Sequence, residues 1–147
     1  MTRAYQTTLR PAREEDMPQL HAYCYMEGMD NIPGTEGVTV AVNDADEPVG
    51  FIRIAFGNGI AHVNPVVVYK AWRGFGVGRQ LVEHALAQHG ELRLVSRGSS
   101  MAFYRAMGFY DIPWEDIAPG VTDDCSGCEL RPECGPQPMA CTTATLR

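Results

Sequence analysis

The apolar positions of the chain change their spacing several times, and each change marks an expected element. Tyr5 to Arg10 can form an opening strand, ended by Pro11. Met17, Leu20 and Cys24 then fall at i, i+3 and i+7, which predicts a helix from about Asp16 with Pro18 tolerated in its first turn. On that face Cys24 reads as a small buried hydrophobe, and a nucleophilic role for it has no supporting neighbour. Glu27 to Gly37 is rich in Gly, Pro, Asp and Asn and reads as a loop. Val38 to Val42 and Pro48 to Phe56 are two strands joined by the polar turn Asn43 to Glu47. Gly57-Asn58-Gly59 marks the next reversal, and Ile60 to Val68 is a strand. Pro65 sits inside that strand, where it cannot donate to a ladder.

From Val66 to Val82 the chain reads as a buried strand, a glycine-rich turn and a helix. The helix rests on Val77, Leu81, Val82, Ala85 and Leu86, which share one face, and it ends around His89-Gly90. Glu91 to Ser96 is a short strand. Gly98-Ser99-Ser100 can cap a further helix that runs to about Met107 and stops at Gly108. Phe109 to Pro113 would be a sixth strand, and Pro138 to Leu146 a seventh that closes the sheet. This order predicts an α+β fold: a mixed, mostly antiparallel sheet of six to seven strands with flanking helices. Residues 1–147 are expected to form a single domain, with a cysteine-rich excursion at about 123–141.

Composition narrows the partners. Hydrophobic residues make up 45% and charged residues 20%, the balance of a globular chain rather than a disordered one. A formal net charge of −6 argues against general nucleic-acid or anionic-membrane binding and is compatible with cationic substrates such as amines. No apolar run reaches the length of a transmembrane helix, and Met1 to Gln6 lacks the apolar core of a secretory signal. The expectation is a soluble, cytoplasmic enzyme.

Against that acidic background the glycine turn is a basic island. Lys70, Arg73 and Arg79 surround it, and no acid falls between positions 70 and 79. The first turn of the following helix leaves the N–H groups of about Gly76 to Arg79 without intrahelical partners, at the positive end of the helix dipole. Glycines at 74, 76 and 78 remove Cβ atoms that would hold a ligand away from the backbone. The result suits a phosphate or diphosphate. A Walker loop is excluded because no Lys-Ser or Lys-Thr follows any of these glycines, and the dinucleotide fingerprint G-x-G-x-x-G fails because Arg79 and Leu81 stand where its last glycine belongs. What fits is R-x-x-G-x-G on Arg73, Gly76 and Gly78.

That pattern resembles the coenzyme A pyrophosphate loop of the GNAT superfamily of N-acetyltransferases. A second segment, Phe103-Tyr104-Arg105-Ala106-Met107-Gly108-Phe109, resembles the family's F-Y-x-x-x-G-F, and together the two cover roughly positions 60 to 110. The resemblance implies acetyl-coenzyme A as cosubstrate and a strand pair that splays around Pro65. It implies cofactor contacts from Val66, Val67, Val68, Arg73, Gly74, Phe75, Gly76, Val77, Gly78 and Arg79. The family often has Asn seven residues before the tyrosine and Ala four before it. This chain has Arg97 and Ser100 there, which puts the contact from that Asn in doubt, although Arg97 can reach a phosphate. The loop from Glu27 borders the family's acceptor site, so Glu27, Asp30 and Glu36 are candidates for meeting a cationic acceptor or plain solvated charges.

The implied reaction is acyl transfer to an amine of a small molecule or protein. Backbone N–H groups near Val66 to Val68 are expected to polarise the thioester carbonyl. Tyr104 is expected to protonate the departing thiolate, its alternative being an aromatic packing residue. His62, which shares a strand face with Asn64, is offered as the base, against the reading of a satisfied structural histidine. A reading from another class is a non-catalytic acyl-coenzyme A sensor acting through a partner protein. The oligomeric state stays open, a homodimer among the options.

One feature falls outside the family pattern. Cys125 and Cys128 form a C-x-x-C pair, with Cys134 and Cys141 downstream. Four thiolates could bind structural zinc or an iron–sulfur cluster, the pair could be redox-active, or the residues could simply pack.

Overall fold

In the computed structural model of the protein, residues 6–121 and 134–147 are described. Among these residues, seven strands and three α-helices follow in the order β1 (Thr8–Pro11), α1 (Met17–Met26), β2 (Val38–Val42), β3 (Pro48–Gly57), β4 (Ile60–Val68), α2 (Val77–His89), β5 (Glu91–Ser96), α3 (Met101–Met107), β6 (Tyr110–Asp111) and β7 (Gln137–Thr142). The strand order is β1-β2-β3-β4-β5-β7-β6. Most neighbours are antiparallel, while β4 and β5 run parallel through the pair His62↔Arg93. No helix among the described residues is long and apolar enough to cross a membrane. The chain divides into two compact units, 1–54 with 65–84 and 55–64 with 85–147.

In the first unit β1 pairs with β2 from Thr8↔Val42 to Pro11↔Thr39. Pro11 is inside the strand rather than beyond it, because an edge strand tolerates a residue that cannot donate outward. The core gathers Met17, Leu20, Tyr23 and Cys24 of α1 against Val38, Val40 and Val42 of β2, Phe51 of β3 and Val67 of β4. Cys24 is fully buried, and burial pushes its thiol up, which agrees with packing rather than nucleophilic chemistry. A charge network secures the entry to α1. Arg10 donates to both carboxylate oxygens of buried Asp16 at 2.7 and 3.0 Å, and the backbone N–H of Arg13 donates to Asp16 at 2.7 Å. These bonds hold the Asp16 carboxyl below its ordinary range.

In the second unit β7 pairs with β5 from Glu91↔Thr142 to Ser96↔Gln137 and with β6 at Tyr110↔Ala140. The last strand therefore lies inside the sheet, with β6 outside it, and does not close the sheet as expected. It is also shorter than Pro138 to Leu146. Past Thr142 the N–H groups of Thr145 and Leu146 turn back to the Thr142 carbonyl at 3.1 and 3.0 Å. β6 contracts as well: Ile112 donates to Pro138 O at 3.0 Å, and Pro113 has no N–H to continue the ladder.

Candidate functional site

The glycine turn belongs to the first unit, and its shape follows from where its backbone groups go. Tyr69 N–H donates to Val49 O at 2.8 Å, which ties the end of β4 to β3. A short 3-10 turn over Lys70–Trp72 follows, with Trp72 N–H on Tyr69 O at 2.8 Å. The chain then reverses through Gly74 and Gly76, at φ 90° and 80°, a region that costs a residue with a Cβ about 1–2 kcal/mol. α2 starts at Val77, and Gln80 N–H reaches Gly76 O at 2.9 Å. The N–H groups of the first helical turn are thus left pointing out of its start, as an anion site requires. A Cβ at Gly74 would meet nothing within 4 Å.

Val77, Leu81, Val82, Ala85 and Leu86 are all buried, so the face read from their spacing is the packed one. Gly50, which no sequence motif marks, supports the turn from β3. A Cβ there would stand 3.0 Å from Val67 O and 3.2 Å from Val77 Cγ1. A side chain there would fit only if one of these neighbours moved aside by a few tenths of an ångström.

The three cations of the turn differ in their surroundings. Lys70 is exposed. Arg79 donates to Glu83 one helical turn on, at 2.5 Å. Arg73 donates through Nε to Val68 O at 3.3 Å and forms an ion pair with Glu27 at the end of α1. The acid absent from positions 70–79 arrives from elsewhere in the chain. Beside the turn lies a groove of about 750 Å³, a size suited to a small-molecule ligand. Tyr23, Met26 and Glu27 of α1 form one wall, with Val67, Val68 and Tyr69 from the end of β4 and Lys70, Ala71 and Arg73 from the turn. Tyr23 is the wall residue that periodicity could not mark as functional. Its hydroxyl donates to Pro48 O at 2.7 Å and accepts from Gln19 Nε2 at 2.8 Å, and its ring stacks on Tyr69 at 5.2 Å.

The second unit carries the other candidates. Tyr104 is 8% exposed, packed edge-on between Phe103 at 5.1 Å and Phe109 at 5.2 Å. Burial pushes its hydroxyl well above the ordinary tyrosine value, so it stays protonated. Arg97 is exposed at the start of the turn that leads into α3.

His62 is different from what the strand pattern suggested. It is fully buried, with Nδ1 2.9 Å from Ile60 O and Nε2 3.2 Å from the backbone N–H of Ala118. Those partners fix the proton on Nδ1 and occupy the lone pair on Nε2, and burial lowers the ring's affinity for a second proton. Both ring nitrogens therefore have backbone partners in the unliganded chain. Asn64, its companion on the strand face, donates to Val121 O.

Of the four cysteines offered to a metal, Cys125 and Cys128 lie outside the described residues. Cys141 is fully buried in β7, where Thr145 Oγ1 donates to its sulfur at 3.4 Å. Burial pushes this thiol up. Among the described residues no three His, Cys, Asp or Glu side chains gather in a metal-binding arrangement.

Comparison with known proteins bears on the same residues. A family model described as an acetyltransferase (GNAT) domain matches residues 34–111, which contain both motifs. A protein of Escherichia coli K12, named peptidyl-lysine N-acetyltransferase YjaB, is 38% identical over 73 residues, 48% of this chain and 47% of that protein. The chain spans about half the length of the curated relatives it matches. The fold resembles N-acetylglutamate synthase from Neisseria gonorrhoeae, solved with coenzyme A and N-acetyl-glutamate: TM-score 0.77, 12% identity, 96% of this chain and 36% of that one. It also resembles a Mycobacterium tuberculosis protein crystallised with CoA: TM-score 0.72, 17% identity, 92% of this chain and 98% of that one.

Proposed function

The chain belongs to the GNAT acetyltransferase family, and on that premise we propose that it transfers an acetyl group from acetyl-coenzyme A to the side-chain amine of a peptide lysine. The observation that carries the reading is the turn itself. Positive φ at Gly74 and Gly76 and a helix that starts at Val77 build a backbone anion site beside a ligand-sized groove. The open space over Gly74 is what a diphosphate needs to approach the backbone.

Acetyl-coenzyme A supplies an activated thioester. The N–H groups at the start of α2 hold its diphosphate, with Arg73 and Arg79 as flanking charge. Residues Val66 to Val68 supply the backbone donors that polarise the carbonyl. Tyr104 gives its proton to the departing thiolate, and its burial keeps that proton in place at the pH of the reaction. The lysine acceptor is carried across from the name of the Escherichia coli relative. A groove that joins tyrosine rings to the Glu27 carboxylate agrees with it, since an aliphatic stem and an ammonium need those two surfaces.

The test is a thiol-release assay with acetyl-coenzyme A against lysine-containing peptides and small amines, products being read by mass spectrometry. Coenzyme A release with acetylated lysine is expected. Tight cofactor binding without release on any amine would instead support an acyl-coenzyme A sensor.

A further inference from the structure

The sequence places a basic island in an acidic chain with no acid inside it, and the structure shows where its counter-charge comes from. Glu27 is the residue that ends α1, at φ −98° and ψ 7°, its backbone N–H bonded to Tyr23 O and Cys24 O at 3.3 and 3.1 Å. A carboxylate is poorly placed there, since the carboxyl end of a helix is the negative end of its dipole, and the last turn of α1 holds no basic residue. Arg73 supplies a cation from the glycine turn, and the ion pair forms on the wall of the groove. It spans 46 residues of sequence, so neither local helix chemistry nor the loop motif accounts for it.

We propose that Glu27 is a counter-ion that the cofactor displaces: it occupies, in the unliganded chain, the guanidinium that the diphosphate claims on binding. The proposal rests on the reading of the turn as a diphosphate site. A guanidinium fork prefers an anion that offers two oxygens and more than one charge, so a diphosphate competes well against a single carboxylate. The side chains of Arg73 and Glu27 are 51% and 27% exposed, which makes the pair exchangeable rather than a buried, permanent one. Glu27 thus lowers cofactor affinity in the native chain, and removing its charge strengthens binding.

Calorimetry of coenzyme A with the native chain, Glu27→Gln, Arg73→Gln and the double variant tests this. Glu27→Gln is expected to bind coenzyme A about two- to fivefold more tightly, the range set by a half-exposed ion pair. In the Arg73→Gln background the same substitution is expected to change nothing, because the partner it frees is gone. Unchanged or weaker binding by Glu27→Gln overturns the proposal and shows instead that the carboxylate positions Arg73. An equal gain in both backgrounds also overturns it, as a general charge effect. If the native chain binds no coenzyme A, the diphosphate reading of the turn fails first and takes this proposal with it.

Discussion

Replacing Tyr104 with Phe removes one oxygen and leaves the ring that packs against Phe103 and Phe109. Core packing is kept, so the loss of stability is expected to stay well below the roughly 3–5 kcal/mol of truncating a buried aromatic to Ala. The catalytic effect depends on how well the hydroxyl matches its task. General-acid groups typically contribute about 10²- to 10⁴-fold. Burial raises the Tyr104 value above that of a free tyrosine, while the thiol it must regenerate lies near 8.5. Proton donation from so weak an acid to so weak a base runs uphill, which places the expected loss at the low end. We therefore expect kcat to fall about 10²-fold, some 2.7 kcal/mol of barrier, with the Kd for coenzyme A unchanged. Steady-state thiol release measures the first quantity and calorimetry the second. Turnover equal to that of the native chain would remove Tyr104 from the mechanism and leave it a packing residue. The shift also fixes a pH signature: a raised folded value means that the Tyr104 contribution to stability is full below pH about 10 and declines as pH rises through it.

Three further outcomes follow from groups described above. His62 is held neutral, its folded value depressed below the ordinary 6.5, so its contribution is present above that pH and lost as pH falls through it. Thermal unfolding of the native chain should shift down between pH 7.5 and 5.5 by more than that of His62→Gln, and identical shifts would refute this. Gly90 and Gly108 both follow a helix with positive φ, but a Cβ at Gly90 meets open space whereas one at Gly108 meets Thr145 O. Gly90→Ala should cost about 1–2 kcal/mol from backbone strain alone, and chemical denaturation should show Gly108→Ala costing clearly more. Cys24 and Cys141 are fully buried, so a thiol reagent should reach them only after denaturation, and labelling of either in the native chain would refute this.

What the sequence revealed depended on whether the deciding contacts were local. β2, β4 and β5 have the bounds that strand patterning predicts, because side-chain alternation and the flanking turn residues act within a few positions. The glycine turn was legible for the same reason: φ, the helix start and the exposed N–H groups are all set between Lys70 and Gln80. The fate of His62 was hidden, since the N–H that occupies Nε2 belongs to Ala118, 56 residues away. The Arg73–Glu27 pair and the close approach at Gly50 were hidden likewise, each being made by a second element brought alongside. β7 could be anticipated as a strand, but strand order is a matter of pairing, and no local pattern in Gln137–Thr142 names β5 and β6 as its neighbours.

The place of β7 has a consequence for how the molecule is made. Its six residues supply the antiparallel partner of β5 and the support of β6 at once. A nascent chain emerging from the ribosome holds both of those strands with open edges until Thr142 is released. Over that interval the exposed ladders can capture a foreign strand. The half-built sheet is the stage of synthesis at which a chaperone would matter most, and a ribosomal stall shortly before Gln137 would leave the chain at its stickiest.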